Sequence, residues 1–146
     1  MSHAYTPFKT RVANGSVAHA SVDWRAMLVM SDTTADTEVD AQNPGDFTTL
    51  DEYNGAGYSR ATLTGEAVNE DLSNNRAEFT ASPWNFGSTV AAGSRQVVGM
   101  LVYQHVDGTN ANDLNAYYID SGGFPFSGAG GPIDVTPNAE GISQIT

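Results

Sequence analysis

The chain contains no cysteine, and its 6 basic side chains stand against 17 acidic ones, for a formal charge of −11. Without cysteine there is no disulfide framework, no thiolate chemistry and no cysteine metal site. The basic residues are one lysine, Lys9, and five scattered arginines: Arg11, Arg25, Arg60, Arg76 and Arg95. Counterion release from a phosphate backbone needs a clustered basic stripe, so no nucleic-acid partner is expected. The same balance disfavours an anionic membrane surface. No apolar run approaches the roughly 18 residues of a spanning helix, so no membrane partner is expected and the chain reads as soluble. His3, His19 and His105 share no ligand spacing. The opening Met1-Ser2-His3-Ala4-Tyr5 lacks the basic-then-apolar order of a secretory leader.

What is present suits one domain. The 146 residues are 40% hydrophobic, and a globule of this size removes roughly 68–70% of its extended-chain surface from water. The charged fraction is 16%, against about 25% in an average soluble protein; Ser, Thr, Asn and Gly take its place. A short helix is expected at the start. Thr6 can cap it, Pro7 suits the first helical position, Tyr5, Phe8 and Val12 fall near one face, and Asn14-Gly15 can end it. Barely two turns long, it must dock on the body or on a neighbour. Residues 1–21 are therefore read as an N-terminal arm with a short helix, and residues 22–146 as a single β-sandwich domain.

From Val22 onward the period is two. Val22, Trp24, Ala26, Leu28 and Met30 alternate with Asp23, Arg25, Met27 and Val29, which predicts a strand buried on one face throughout and on the other in its second half. Tyr58 to Val68 alternates again, followed by Ala77, Phe79, Ala81 and by Trp84, Phe86. Val97 to Tyr103 is almost continuously apolar, as in a central strand covered on both faces. Shorter runs follow at 114–119, 133–135 and 142–145. Turn chemistry separates them, as in Asn43-Pro44-Gly45-Asp46, Asn54-Gly55-Ala56-Gly57 and the glycine-rich stretch 121–132. Short strands at spacings of about 8–12 residues predict an all-β antiparallel sandwich, jelly-roll-like, with an up-and-down barrel as the alternative.

Candidate chemistry is sparse, and no enzyme is expected. The acidic stretch holding Asp32, Asp36, Glu38, Asp40, Asp46 and Asp51 offers oxygens for calcium, but the EF-hand order is absent and solvated loops explain it. The loop 107–113 reads as a turn. Glu66, Glu70, Glu78 and Glu140 supply carboxylates for glycoside hydrolysis without any sign of a facing pair across a cleft. No Gly-x-Ser-x-Gly elbow occurs, and His105 sits at the end of the 97–106 run. No catalytic residue, metal ligand or cofactor is expected. Trp84, Tyr103, Tyr117 and Tyr118 suit either an aromatic platform for sugars or core packing, with core the default at strand spacing. The segment Gly122-Gly123-Phe124-Pro125-Phe126 lies outside any alternating pattern. Its Phe residues either anchor in another subunit or fold back over the end of the sandwich.

Taken in order, several motifs resemble a family of small virion proteins of tailed bacteriophages and prophages. They are Ala26-Met27-Leu28-Val29-Met30-Ser31, Asp46-Phe47-Thr48-Thr49-Leu50-Asp51-Glu52-Tyr53, Leu63-Thr64-Gly65 and Asn74-Asn75-Arg76-Ala77-Glu78-Phe79. Further along come Leu101-Val102-Tyr103, the run from Ala116 to Phe126, and Asn138-Ala139-Glu140-Gly141-Ile142. The likeness covers most of the chain from Trp24 on. Pro137 departs from it, standing where an aromatic residue is expected, which bears on the pairing of the last two strands.

The resemblance implies a structural part of the phage particle and supplies no catalytic residues. Small size, acidic charge and β architecture then point to a capsid decoration or cement protein. It is expected to be made in the host cytoplasm and to bind major capsid protein on the outer surface, away from packaged DNA that repels it. A homo-oligomer, a trimer, is expected, with partner contacts at Tyr5 and Phe8 and at Phe124, Pro125 and Phe126. The alternatives are a receptor- or carbohydrate-binding module on the particle and a head-completion or tail protein.

Overall fold

The computed structural model describes residues 1–138 and 141–145. Its strands are β1 (His3–Ala4), β2 (Trp24–Met30), β3 (Ala61–Thr62), β4 (Ala67–Asp71), β5 (Arg76–Thr80), β6 (Trp84–Asn85), β7 (Val97–Gln104), β8 (Leu114–Ile119), β9 (Asp134–Val135) and β10 (Ser143–Ile145), with one α-helix, α1 (Thr6–Ala13). Every ladder is antiparallel. The largest sheet runs β1-β8-β7-β2-β3; beside it lie a three-stranded sheet, β10-β5-β4, and a two-stranded one, β6-β9. The fold is thus all-β and sandwich-like, as the alternation predicts.

The two strands with the strongest apolar signal lie next to each other at the heart of the main sheet. β7 pairs with β2 on one side and β8 on the other, and Met27, Leu28, Val29, Leu101 and Val102 are fully buried. Trp24 and Phe79 pack at 5.3 Å, and Phe79 stacks on Tyr117 at 6.2 Å, so β5 covers the β2–β8 face. Gly99 interrupts the apolar run of β7 for a steric reason. A Cβ there would stand 2.5 Å from the Tyr118 hydroxyl and 2.6 Å from its ring, because the Tyr118 side chain crosses the neighbouring strand diagonally.

Of the two expected docking places for the N-terminal segment, the body or a neighbour, it takes the body, which corrects the expectation of partner contacts at Tyr5 and Phe8. His3 and Ala4 pair with Tyr118 and Tyr117, and the Tyr5 N–H donates to Ala116 O at 3.0 Å. Tyr5 is fully buried and Phe8 is 3% exposed. The sheet needed an edge partner for β8, and this segment supplies it. Pro7 stands in the first turn and Asn14 ends the helix as expected, but the N-cap is Tyr5, without a side-chain bond, and not Thr6. Two further differences concern strands. The run 58–68 splits into β3 and the start of β4, with Gly65 between them at φ +66°. The last two strands part company: β9 pairs with β6 and β10 with β5.

Candidate functional site

Most ionised side chains are engaged within the chain. Arg25 pairs with Asp23 (3.2 Å), Arg60 with Glu52 (2.6 Å), and Arg76 with Asp71 and Glu78 (2.9 Å each). Arg95 reaches Asp51 and Asp32. The half-buried Glu52–Arg60 pair is bidentate, and its Nη2 also donates to Asn110 Oδ1 at 2.8 Å. The Tyr58 hydroxyl donates to Glu52 (3.1 Å) and accepts from the Leu28 N–H (3.1 Å). Burial pushes the Tyr58 phenol up, while the hydrogen bond to Glu52 raises Arg60. Both stay protonated, and the network ties the 52–60 segment to β2 and to the 107–113 loop. It offers neither a free base nor a free nucleophile.

Tyr53 performs the same service at the other end of the loops. Its hydroxyl donates to Ala91 O (2.8 Å) and accepts from the N–H groups of Gly93 (2.8 Å) and Gly128 (3.0 Å). A Cβ at Gly128 would stand 2.7 Å from that hydroxyl and 2.4 Å from Ala91 O. The glycine is required so that the 126–131 segment can close on the ring.

The acidic stretch resolves into loop fastenings. Glu38 accepts from the Thr48 hydroxyl (2.5 Å), the Thr34 hydroxyl (2.7 Å) and the Thr48 N–H (2.8 Å), and these bonds, the Thr48 hydroxyl foremost, hold it below the usual carboxylate range. Asp46 accepts from the N–H groups of Gln42 and Asn43. In the 107–113 turn, the buried Asp113 accepts from three successive backbone N–H groups, those of Val106, Asp107 and Gly108. Among the described residues no three His, Asp or Glu side chains gather as a metal-ligand set.

The other sequence candidates separate clearly. Glu78 is buried against Arg76, Glu70 lies exposed on β4, and Glu140 falls outside the described residues with Ala139. Trp84, Tyr103, Tyr117 and Tyr118 are all at most 7% exposed, so none presents its face as a platform. Tyr5 and Phe8 cannot meet a partner: the Tyr5 hydroxyl donates to Ala35 O at 2.6 Å, and Phe8 packs edge-on against Tyr117 at 4.8 Å. Phe124 and Phe126 pack on each other at 5.6 Å and are half-buried, with Pro125 exposed between them. Phe126 also exchanges backbone hydrogen bonds with Val97 (2.8 and 3.0 Å). The loop folds back on the sheet end and leaves a ridge centred on Pro125.

Beside that ridge lie three adjoining depressions of about 250, 270 and 330 Å³. The first two share Ile119 and Ile142; the last two share Gly122, Gly123 and Asp134. Together they follow the end of β8, the start of β10 and the glycine-rich segment. Compared with known proteins, the chain matches no family model, no curated protein and no solved structure.

Sequence reasoning missed this groove and both tyrosine networks. The groove is built from segments that carry no alternation. A local signal for the networks did exist: Tyr53-Asn54-Gly55-Ala56-Gly57-Tyr58 places glycines between two tyrosines, the composition of backbone folded tightly around aromatic rings.

Proposed function

We propose that the chain is a structural protein of a tailed-phage particle, a capsid decoration protein that bridges neighbouring major capsid subunits on the outer shell as a homotrimer. The observation that carries this reading is the internal engagement of four arginines, Arg25, Arg60, Arg76 and Arg95, on the chain's own carboxylates. The pairs fasten loops to strands and leave the remaining carboxylates to make the exterior acidic. Such a body suits adhesion better than turnover, and its field suits the outside of a DNA-filled shell better than the inside. The resemblance of the 26–31, 46–53, 74–79 and 116–126 motifs to small phage virion proteins supports the same role.

Its mechanism is mass action. A protein that binds the assembled shell and not dispersed subunits stabilises the shell by about 2.7 kcal/mol per site at a hundredfold excess over Kd. After the burial of Tyr5 and Phe8, the ridge of Phe124, Pro125 and Phe126 remains as the contact. The test is co-sedimentation with assembled shells, together with the copy number in purified particles. Stable binding at a copy number comparable with the coat subunit is expected, weakened by a Phe124→Ser/Phe126→Ser variant that is still folded. A single ring of copies would instead indicate a head-completion or tail protein, and no binding would remove the role.

A further inference from the structure

The three-stranded sheet ends on an open strand. β4 is its outer member, and Val68, Asn69 and Glu70 are exposed. With five residues it is the longest edge strand among the described residues; the others have two or three. It carries neither proline nor lysine, and its ladder with β5 has no bulge, so it lacks devices that commonly blunt an edge. Apolar surface is exposed there too: Val68 is 50% exposed and Leu72, one residue past the strand, 84%.

The register fixes which backbone groups face outward. Phe79 on β5 accepts the Ile142 N–H at 2.7 Å, so its polar groups turn towards β10 and away from β4. Facing alternates from residue to residue along an antiparallel ladder. Val68, opposite Phe79, and Glu70, two positions on, therefore direct their N–H and C=O groups to the free edge, while Asn69 directs its own to β5.

We infer that this edge pairs with the same edge of a second copy of the chain, antiparallel, across a two-fold axis between the two Asn69 residues. Charge selects both the occupant and the register. Val68 opposite Val68 would bring Glu66 opposite Glu70, and Glu70 opposite Glu70 would oppose carboxylates directly; like charges facing each other across strands are destabilising. Val68 opposite Glu70 relieves every position. Glu66 then faces Leu72, Asp71 faces Ala67, and each Val68–Glu70 pair exchanges both of its N–H···O bonds. No carboxylate of the strand meets another, and the contact is self-complementary, as a closed dimer requires. A strand from a different protein would place no such condition on residues 66–72. The pairing is independent of the shell role and uses a surface away from the Pro125 ridge. Because each copy carries −11, repulsion keeps the pair weak in solution, so the test traps it.

The chain has no cysteine, so a single introduced thiol reports a single position. Across the axis the two Asn69 residues stand about 4.5 Å apart at Cα, inside the ~4.4–6.8 Å that a disulfide spans. Val68 to Val68 and Glu70 to Glu70 are diagonals of about 7–8 Å. Under mild oxidation of the full chain in high salt, Asn69→Cys should form disulfide-linked dimers about tenfold faster than Val68→Cys or Glu70→Cys does alone. A mixture of the latter two should link to each other faster than either links to itself. All three positions are exposed, so chance collision would treat them alike. Val68→Pro added to Asn69→Cys removes an outward N–H and spares the β4–β5 bonds; it should return the rate to the collision level with the thermal midpoint little changed. Phe124→Ser/Phe126→Ser should leave all the rates as they are, which separates this pairing from the ridge. Equal rates for the three single-cysteine variants would overturn the pairing. Faster linking of Val68→Cys or Glu70→Cys to itself would overturn the register and the charge argument with it. If no self-linking occurs and assembled shells protect Asn69→Cys from a maleimide, the edge takes a strand of the coat protein and the second copy is excluded as its occupant.

Discussion

Tyr53 is one side chain on which three segments of the chain depend. Its hydroxyl bonds Ala91, Gly93 and Gly128, the last through a buried N–H. Tyr53→Phe should keep the ring packing and leave those groups unpaired, lowering the unfolding free energy by about 2–4 kcal/mol in urea denaturation. Truncation elsewhere on the exposed surface should do far less. His19 makes a second prediction at this scale. It is buried among Phe8, Trp24 and Phe79, with Nε2 3.2 Å from the Tyr117 hydroxyl. Burial lowers its pKa from 6.5, so between the folded and unfolded values the unfolded chain binds more protons. The His19 contribution is therefore complete above the unfolded value of about 6.5 and is lost as pH falls from there through the folded value. Urea midpoints measured across about pH 5–8 should decline on the acid side, and His19→Gln should flatten that decline. The role of His19 was not legible locally, and that of Tyr53 only through the glycines that separate it from Tyr58; in neither case were the partners legible. Tyr5 shows why: its hydroxyl partner, Ala35 O, lies 30 positions away, and no periodicity records that distance.

At the scale of elements, what was legible was the alternation, and it was legible where burial was complete. β2 and β7 follow the expected pattern residue by residue because neighbours cover both faces of their central residues. The run 58–68 failed as one strand because alternation says nothing about backbone handedness: Gly65 at φ +66° turns the chain between β3 and β4. The N-terminal segment was misjudged for the complementary reason. A two-residue strand such as β1 is too short to show a period, and only the open edge of β8 gives it a place. The groove suffered from the same blindness, since turns and glycines build most of its walls. Gly99 tests how tightly the legible part is made. Gly99→Ala puts a methyl group into the space of the Tyr118 ring, and Tyr118 is only 2% exposed and cannot swing freely. Overpacking of this kind should destabilise the fold by about 1–3 kcal/mol, measured as a shift of the denaturation midpoint. Gly99→Ala combined with Tyr118→Phe should recover part of the loss, because the hydroxyl is the nearest atom.

For the molecule as a whole the governing quantity is charge. Arg25, Arg60, Arg76 and Arg95 are held at contact distance by carboxylates, and the excess of −11 is spread over what remains. Contact pairs and spread charge respond differently to salt. The partly buried pairs at about 3 Å are screened little, whereas repulsion between distant surface carboxylates is largely removed once the Debye length falls to about 10 Å or less. Added sodium chloride should therefore raise the thermal midpoint of the isolated chain, the reverse of a protein held together mainly by surface ion pairs. The same term opposes self-association more strongly, because each added copy brings its full excess charge to the others. If the subunits form the proposed trimer through the apolar Phe124-Pro125-Phe126 ridge, the sedimentation-average mass should climb with salt towards three chains and fall back on dilution into low salt. Phe124→Ser/Phe126→Ser should abolish the climb without altering the salt dependence of the thermal midpoint. A mass that stays at one chain at every ionic strength would show that the ridge does not join copies of this chain to each other, leaving the coat protein as its remaining partner.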